Sequence, residues 1–559
     1  MHSLNIKDCP RRLRIGVIAG LIFVSLSLTA TGLATVRDEK ARQRAGKALR
    51  DGDYEGAEKM YRALLAKDAH DHQVRLGLSF SLLKQRRLQD AYDHAARVIL
   101  AEPLSARAHA VLGSAILASG DFRNSVEEFR TALSLQENEA IAIAGLAMVD
   151  FYENRLESAI KGLRRAAYLD SSEPDYVFNL GQATARSEQY KEAADSYERF
   201  LAIAPKTDAD RRDRIRGLID FLRYLGKQAS LYDLRGANNT SMSFDSVDGR
   251  PILKVKVNGG KEHLRFVLDT GSGMSVISEE TAKKLGLRPV ARGGMARAVG
   301  GGGKFEIVYG FLSSLEVGDV KVESVPVYIR HFYHDKFPVD GYLGLAVISR
   351  FITSVDYGES TFTLRRESGG SRRAKAAPSP EFGDGTLSVR RNSDVSRKAE
   401  GDPESLTTNA LEIPVRTTSS GFLSGEVRVE GIDQPLNFII DTGASISVVS
   451  EKLVEQEDLA TYVEPIRMRV FGAAGVTDDV KRVVLPRVVL GSFARDQLSA
   501  AVLDMESLNE TTGFTQSGIL GGNFLRHFRV IFDFQRGVIR LEPLVKTAKS
   551  GDLRPVELP

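Results

Sequence analysis

Small and hydrophobic residues recur with a period of 34 along residues 41–230. The small residues of this series are Ala57, Ala91, Ser125, Ala159 and Ala193, and the leucines are Leu78, Leu112, Leu146 and Leu180. The apolar positions around them have helical spacing. A period of this length predicts a solenoid of paired helices, in which the small residue lies where two helices approach most closely.

After about residue 230 the pattern changes to the apolar and polar alternation that predicts β-strands, starting with PILKVKV at 251–257. Two apolar runs then lead into one phrase, FVLDTGSGMS at Phe266–Ser275 and FIIDTGASIS at Phe438–Ser447. Each aspartate, Asp269 and Asp441, therefore follows a core strand, where an unpaired charge is unfavourable. We expect the two carboxylates to face each other in a water-poor cleft and to share one proton.

Further residues recur at matching offsets after the two phrases. An apolar pair and a glycine form a second motif, at Tyr342–Gly344 and Ile519–Gly521. A phenylalanine and an aspartate follow each of these glycines at the same spacing, namely Phe351, Asp356, Phe528 and Asp533. A glycine-bearing segment precedes each second motif, with Gly300, Gly301, Gly302 and Gly303 in the first copy and Gly472 and Gly475 in the second. The agreement predicts two copies of one lobe.

The 34-residue pattern resembles the tetratricopeptide repeat family, in about five copies at 41–230, with a capping helix at 210–225. The duplicated phrases resemble the aspartic protease family in its small retropepsin-like form, at 245–366 and 411–545. Together the resemblances imply a multidomain fold, an α-solenoid of helix-turn-helix repeats followed by two retropepsin-like β lobes. They also imply that the array binds a peptide or a protein.

The resemblance to aspartic proteases implies a role for each residue of the phrases. Asp269 and Asp441 are the expected catalytic pair, and their loops are supported by Thr270, Gly271, Ser272, Thr442, Gly443 and Ala444. In the family the threonines bond across the lobe interface, the glycine-bearing segments are flaps, and Gly344 and Gly521 pack beside the active-site loops. One departure is Gly273, because the second copy has Ser445 at this position. A hydroxyl that could bond the aspartate is therefore missing from the first loop.

Composition narrows the possible chemistry. The net charge is +3, with 76 basic and 73 acidic residues, so no charge field favours a nucleic-acid partner. Cys9 is the single cysteine, which excludes an intramolecular disulfide framework and a cysteine-based zinc site. Because paired carboxylates can activate water directly, we expect neither a metal nor a cofactor.

Two other candidate sites are weaker. The glycine run at 298–305 lacks the first glycine of a phosphate-binding loop, and its lysine is not followed by Ser or Thr. His331, His334 and Asp335 fall in an expected loop without a third convergent histidine, which favours a solvated loop over a metal site.

Three segments, one at each end of the chain and one between the two lobes, are predicted to lie outside the folded domains. Residues 1–36 have arginines ahead of an uncharged run, the charge order of a signal peptide or signal anchor. Either reading places the rest outside the cytoplasm, as a periplasmic, secreted or membrane-anchored protein. Residues 367–410 are rich in Ser, Gly, Pro and charge, which predicts a disordered linker, and 546–559 form a tail.

We expect an aspartic endopeptidase whose repeats recruit a substrate or partner protein. The linker is long enough for the lobes to pair within one chain, which we favour over a homodimer. The alternative is a catalytically inactive peptide-binding or scaffolding protein of the cell envelope, and a third hypothesis is an enzyme that only processes itself. Substrate preference is not predicted, because subsites are built from residues distant in sequence.

Overall fold

The computed structural model describes residues 38–297, 304–333, 337–366, 412–457, 459–544 and 553–555. The predicted signal segment 1–36, the linker 367–410, the glycines 300–303 and most of the tail lie outside these residues. No helix in the described ranges is long and apolar enough to cross a membrane. The chain forms two compact units, one up to Gly145 with Ile203–Ala209, the other Leu146–Ala202 with the residues from Asp210 onward.

Helices occupy the region of the 34-residue period. They are α1 (38–50), α2 (Tyr54–Leu65), α3 (His72–Lys84), α4 (Leu88–Ala101), α5 (Ala106–Ser119), α6 (Phe122–Leu135), α7 (Ala140–Tyr152), α8 (Leu156–Leu169), α9 (Pro174–Arg186), α10 (Tyr190–Ile203) and α11 (Ala209–Leu225). The small residues of the period lie on α2, α4, α6, α8 and α10, and each is fully buried. The leucines lie on the intervening helices, so the period corresponds to one helix pair.

Small and large side chains complement each other inside the first unit. The ring of Phe129 on α6 is fully buried and faces two glycines. A Cβ atom on Gly113 would lie 2.9 Å from this ring, and one on Gly145 would lie 2.1 Å from it. Glycine is therefore required at both places for the helices to close on the ring.

The first β lobe follows in the second unit. Its elements are β1 (Asp233–Gly236), β2 (Asn239–Ser243), β3 (Asp245–Val247), β4 (Arg250–Val257), β5 (Leu264–Leu268), β6 (Val276–Ser278), α12 (Glu279–Lys284), β7 (Ala291–Arg297), β8 (Lys304–Val317), β9 (Val320–Arg330), β10 (Gly341–Leu343), α13 (Leu345–Ile348), β11 (Ile352–Asp356) and β12 (Thr361–Arg365). The inward positions of β4 and β5, such as Leu253 and Phe266, belong to the core.

The second β lobe repeats this order. Its elements are β13 (Glu412–Thr417), β14 (Leu423–Val429), β15 (Leu436–Ile440), β16 (Ser447–Ser450), α14 (Glu451–Gln456), a 3-10 turn (Leu459–Tyr462), β17 (Val463–Gly472), β18 (Gly475–Leu490), β19 (Phe493–Leu503), α15 (Glu506–Thr512), β20 (Gly518–Leu520), α16 (Gly522–Leu525), β21 (Phe528–Asp533), β22 (Val538–Pro543) and β23 (Leu553–Pro555). The predicted fold class, a helical array followed by two β lobes, is confirmed.

One sheet runs through both lobes. Strand β11 of the first lobe pairs antiparallel with β21 of the second, with Thr353 opposite Phe532 and Asp356 opposite Arg529. Strands β12 and β2 extend this sheet on one side, and β22 and β13 extend it on the other. The lobes are therefore joined by backbone hydrogen bonds as well as by a shared apolar core.

A parallel strand pair brings the two motifs of each lobe together. Strand β5 pairs with β10 in the first lobe, with Leu268 opposite Leu343. Strand β15 pairs with β20 in the second, with Ile440 opposite Leu520. Each aspartate phrase therefore leaves its strand beside the glycine of the second motif.

Helix α11, which covers the predicted capping helix, packs on the first lobe. The ring of Phe221 stacks on that of Tyr309 with centroids 4.3 Å apart. A Cβ atom on Gly217 would lie 2.3 Å from the carbonyl oxygen of Gly293, in strand β7. The backbone of α11, at the end of the array, therefore packs directly against the backbone of the β7–β8 hairpin.

We predict that Phe129→Ala destabilises the first unit by about 3–5 kcal/mol, because it leaves a cavity between α6 and its neighbours. Leu100→Ala is the matched control, since Leu100 is 84% exposed in the same unit, and should change the free energy of unfolding by about 0.5 kcal/mol or less. Urea unfolding followed by circular dichroism measures both. Equal effects of the two substitutions would contradict the packing described.

Candidate active site

Asp269 and Asp441 occupy matching positions at the ends of their strands. Asp269 donates its backbone N–H to the carbonyl oxygen of Leu343, and Asp441 donates to that of Leu520, both at 3.0 Å. These bonds continue the parallel pairing of the strands past their ends. The structure brings the two partly buried carboxyls together, and they hydrogen-bond to each other.

The threonines after the aspartates lock the two loops across the lobe interface. The Thr270 N–H donates to Oγ1 of Thr442 at 3.1 Å, and the Thr442 N–H donates to Oγ1 of Thr270 at 3.0 Å. Each hydroxyl also donates at 2.7 Å to a carbonyl oxygen of the opposite strand, Thr270 to Ile440 and Thr442 to Leu268. Both threonines are fully buried, so these four bonds fix the spacing of the aspartates.

The glycines of the phrases make room for the opposing carboxyl. A Cβ atom on Gly271 would lie 2.4 Å from the carboxyl carbon of Asp441, and one on Gly443 would lie 2.5 Å from Oδ1 of Asp269. Each glycine also donates its N–H to the aspartate of its own loop, at 2.9 Å for Gly271 and 2.7 Å for Gly443. Any larger residue at either position would push the carboxyls apart.

The fourth residues of the phrases, Ser272 and Ala444, support the loops through their backbone. The carbonyl oxygen of Ser272 accepts from the Leu345 N–H at 2.8 Å, and that of Ala444 accepts from the Gly522 N–H at 2.7 Å. The Ser272 hydroxyl donates to the carbonyl oxygen of Met274 at 2.7 Å. Both loops are therefore anchored to the residue after the second-motif glycine.

The second-motif glycines pack directly on the loops. A Cβ atom on Gly344 would lie 2.8 Å from the Ser272 carbonyl oxygen, and one on Gly521 would lie 2.9 Å from that of Ala444. Their N–H groups donate at 3.1 Å to hydroxyls that end the two phrases, Gly344 to Ser275 and Gly521 to Ser447. The sequence contained these serines in both phrases but gave no signal for their role.

Gly273 has a steric role in the structure. A Cβ atom on Gly273 would lie 2.9 Å from the carbonyl oxygen of Ser420, which precedes the second lobe's β14. The serine at the equivalent position, Ser445, donates no side-chain hydrogen bond to Asp441, which instead accepts from the Ala444 N–H at 3.2 Å. Glycine is thus needed here for the close approach of the 418–421 loop.

A partly buried arginine of the repeat region holds this same loop. Arg186, at the end of α9, donates to the carbonyl oxygens of Thr418 and Ser419, and its guanidinium lies 3.8 Å from the centre of the Phe151 ring. Burial lowers the pKa of Arg186 to about 10. Nothing in the sequence distinguished this arginine, because the carbonyl oxygens of the loop that it holds stand more than 200 positions later.

The two aspartates differ in their electrostatic surroundings. Burial, followed by the charge of Asp441, raises the pKa of Asp269 well above its ordinary range. Burial also raises the pKa of Asp441, but the N–H groups of Gly443 and Ala444 partly offset this effect. Because hydrogen bonds from N–H groups favour the ionised form, the shared proton is favoured on Asp269.

Of the predicted flap residues, the structure describes those of the second lobe. Gly472 and Gly475 stand opposite each other at the tip of the β17–β18 hairpin, with exposed Phe471 and Val476 beside them. The first lobe has the matching β7–β8 hairpin, whose tip glycines 300–303 lie outside the described residues. In the described residues, no cluster of three His, Cys, Asp or Glu side chains could hold a metal ion.

Comparisons with known proteins agree with a repeat array followed by two lobes of one kind. Residues 253–347 and 425–524 match the family model described as aspartyl protease, and residues 48–115 and 145–207 match two models described as tetratricopeptide repeat. Both resemblances expected from the sequence are therefore confirmed. No curated protein matches the chain significantly.

Solved structures with similarity to the chain include repeat proteins. The thermophilic repeat protein TTC0263 of Thermus thermophilus is 18% identical, covering 31% of this chain and 95% of its own, with a TM-score of 0.28. PilF of Pseudomonas aeruginosa is 14% identical, covering 34% and 83%, with a TM-score of 0.26. YrrB, a repeat protein described as having an unusual peptide-binding site, is 18% identical, covering 29% and 84%, with a TM-score of 0.20. TM-scores this low do not establish a shared fold.

We predict that Thr270→Val and Thr442→Val each lower the free energy of unfolding of the second unit, by about 2–6 kcal/mol. Each change removes one buried hydroxyl and leaves the opposite N–H and carbonyl oxygen without partners, at about 1–3 kcal/mol for each such group. Thr270→Ser and Thr442→Ser are the matched controls, because they keep the hydroxyl. In chemical unfolding, the valine variant at each position should have a lower free energy of unfolding than the serine variant. Equal stability of the valine and serine variants would contradict the cross-lobe lock.

We predict that the aspartate pair makes the protein less stable as the pH rises. The folded-state pKa of Asp269 lies above its unfolded value of about 3.9, so the folded protein keeps a proton that the unfolded chain has lost. The stabilisation is complete below the unfolded pKa and is lost as the pH rises through the raised pKa. Urea unfolding between about pH 4 and pH 7 should therefore show a steeper decline for the parent than for Asp269→Asn. If the free energies of unfolding of the parent and of Asp269→Asn change in parallel with pH, folding does not raise the pKa of Asp269.

Proposed function

We propose that this chain, with two aspartyl protease lobes behind a tetratricopeptide repeat array, is an aspartic endopeptidase that hydrolyses peptide bonds with a water held by Asp269 and Asp441. The observation that supports it most directly is the hydrogen-bonded carboxyl pair between the threonine-locked loops. Two carboxyls that share one proton can serve as base and acid in a single site.

The surroundings of the pair suggest how the proton moves. The Asp441 carboxylate, which accepts two N–H groups of its own loop, would take a proton from the water as it attacks the scissile carbonyl. Asp269, where the shared proton is favoured, would donate toward the carbonyl oxygen. As the C–N bond breaks, the proton gained by Asp441 passes to the leaving amine, and Asp269 regains its proton from a hydroxyl of the tetrahedral intermediate. The pair titrates as a unit, so both groups are needed for each turnover.

We infer that the lobes pair within one chain rather than between two copies. The β11–β21 pairing joins the lobes through their backbones, and the threonine lock joins the loops of the same chain. Both contacts belong to one compact unit. A homodimer would need to break this pairing or add a second one.

We also propose that the repeats recruit a substrate or partner protein and that the protein works outside the cytoplasm. Repeat arrays of this kind present extended surfaces suited to peptide or protein binding. Export rests on the charge order of residues 1–36, with arginines ahead of an uncharged run. As a signal anchor, the same segment would hold the protein at the membrane with its protease lobes facing outward.

We predict that Asp269→Asn and Asp441→Asn each abolish cleavage of a peptide library, lowering kcat/KM by about 10³-fold or more, because either amide removes the shared proton. Asp433→Asn is the matched control, since Asp433 is an exposed aspartate of the second lobe. A peptide carrying a hydroxyl in place of the scissile carbonyl should inhibit the parent and the control alike.

Full activity in either of the first two variants would refute the paired mechanism. A parent that cleaves nothing at acidic or neutral pH, yet binds the hydroxyl-bearing peptide, would identify an inactive peptide-binding or scaffolding protein. Cleavage confined to residues 367–410 of the chain itself would identify self-processing.

A further inference from the structure

One arginine lies where the β7–β8 and β17–β18 hairpins meet. Arg330 is the last residue of β9, which pairs with β6 directly after the first active-site loop. Its guanidinium lies 3.9 Å from the centre of the Phe305 ring, at the start of β8 in the first hairpin. Its Nη2 donates to the carbonyl oxygen of Ala473, at the tip of the second hairpin between Gly472 and Gly475. The side chain therefore connects the two hairpins.

Among the described residues, this arginine has no neutralising partner. In the ranges that the structure describes, Arg330 makes no ion pair within 4.0 Å of a carboxylate. Its contacts are instead a carbonyl oxygen and an aromatic ring. Burial lowers the pKa of Arg330. A partly desolvated cation without a counter-ion is unfavourable unless a ligand supplies the negative charge.

The charge is also absent from the matching position of the other lobe. Ser278 and Ser450 stand at equal distances after their aspartates, and the register pairs Ser278 with Arg330 and Ser450 with Leu503. Leu503 is a buried apolar residue, 7% exposed. The fold therefore accepts an apolar side chain at this position. The cation makes one side of the cleft different from the other.

A latch between the hairpins is the simpler role, but it does not explain the choice of residue. Holding the Ala473 carbonyl oxygen requires one N–H donor and no charge. An arginine provides a planar fork that matches a carboxylate with two parallel bonds. Stacking on Phe305 leaves the edge of this fork available to such a partner.

We propose that Arg330 is a specificity-determining residue that binds a carboxylate of the peptide substrate, so that the enzyme prefers an acidic side chain on one side of the scissile bond. This inference rests on the proposed peptidase function. When a peptide enters beneath the hairpins, the guanidinium exchanges the Ala473 carbonyl for the substrate carboxylate. The exchange neutralises Arg330 and keeps the acidic group from repelling the aspartate pair.

The test uses the full chain and pairs of peptides that differ only in Glu or Gln, with the residue moved through the positions on either side of the scissile bond. At one position we expect kcat/KM of the parent to favour Glu by about 10-fold or more, as a charge-assisted bond predicts. Arg330→Leu, which installs the residue of the second lobe, should reduce this ratio to about 1, with Gln peptides still cleaved. Arg330→Lys should give an intermediate ratio.

Arg365→Gln is the matched control, because Arg365 is an exposed arginine of the same lobe, and it should keep the parent ratio. Equal cleavage of Glu and Gln peptides by the parent at every position, or an unchanged ratio in Arg330→Leu, would overturn the inference and leave Arg330 as a latch. The same pairs made with a non-cleavable reduced bond are also measured for binding to the parent. If no peptide is cleaved, the proposed peptidase function fails, while a Glu preference in binding still supports the role of Arg330 and its absence overturns it.

Discussion

The structure depends on holding two carboxyl groups close together although both resist burial as charges. A shared proton removes one of the two charges, and the N–H groups of Gly443 and Ala444 stabilise the other. This arrangement survives only if the spacing of the two loops is fixed. The threonine lock fixes it with four hydrogen bonds that are inaccessible to water. The carboxyls and the lock therefore stabilise a single geometry.

In each lobe, the residues that pack against the aspartate loop maintain that geometry. The strand pairs β5–β10 and β15–β20 bring a glycine against each loop, and a serine hydroxyl receives the N–H of that glycine. The two lobes do this in the same way, because they repeat one sequence pattern. They differ in some of the residues that surround the loops. Gly273 admits the 418–421 loop, and Arg330 places a positive charge on one side of the cleft.

The sequence predicted the parts of this structure that are encoded locally or by repetition. The 34-residue period predicted the helix pairs, and the duplicated phrase predicted two lobes with their aspartates, glycines and threonines. Contacts between distant elements were not predictable. The β11–β21 pairing, the contact of Ser420 with Gly273 and the approach of Ala473 to Arg330 depend on how finished lobes pack. An isolated arginine carries no signal for such a role, since arginines on the surface are common.

The contacts of Arg186 and α11 with the β lobes have a consequence for how such a chain can change during evolution. Repeats in an array are commonly gained and lost as whole units, because each one contacts only its neighbours. Here α9 and α11 are also fitted to two particular loops, so a duplication or deletion that shifted these helices would separate Arg186 from Thr418 and Gly217 from Gly293. Helix α7 is fitted to the second lobe as well, with the ring of Tyr152 against that of Phe514, so repeat number is constrained from α7 onward. Relatives with longer or shorter arrays should therefore differ at the amino-terminal end of the array.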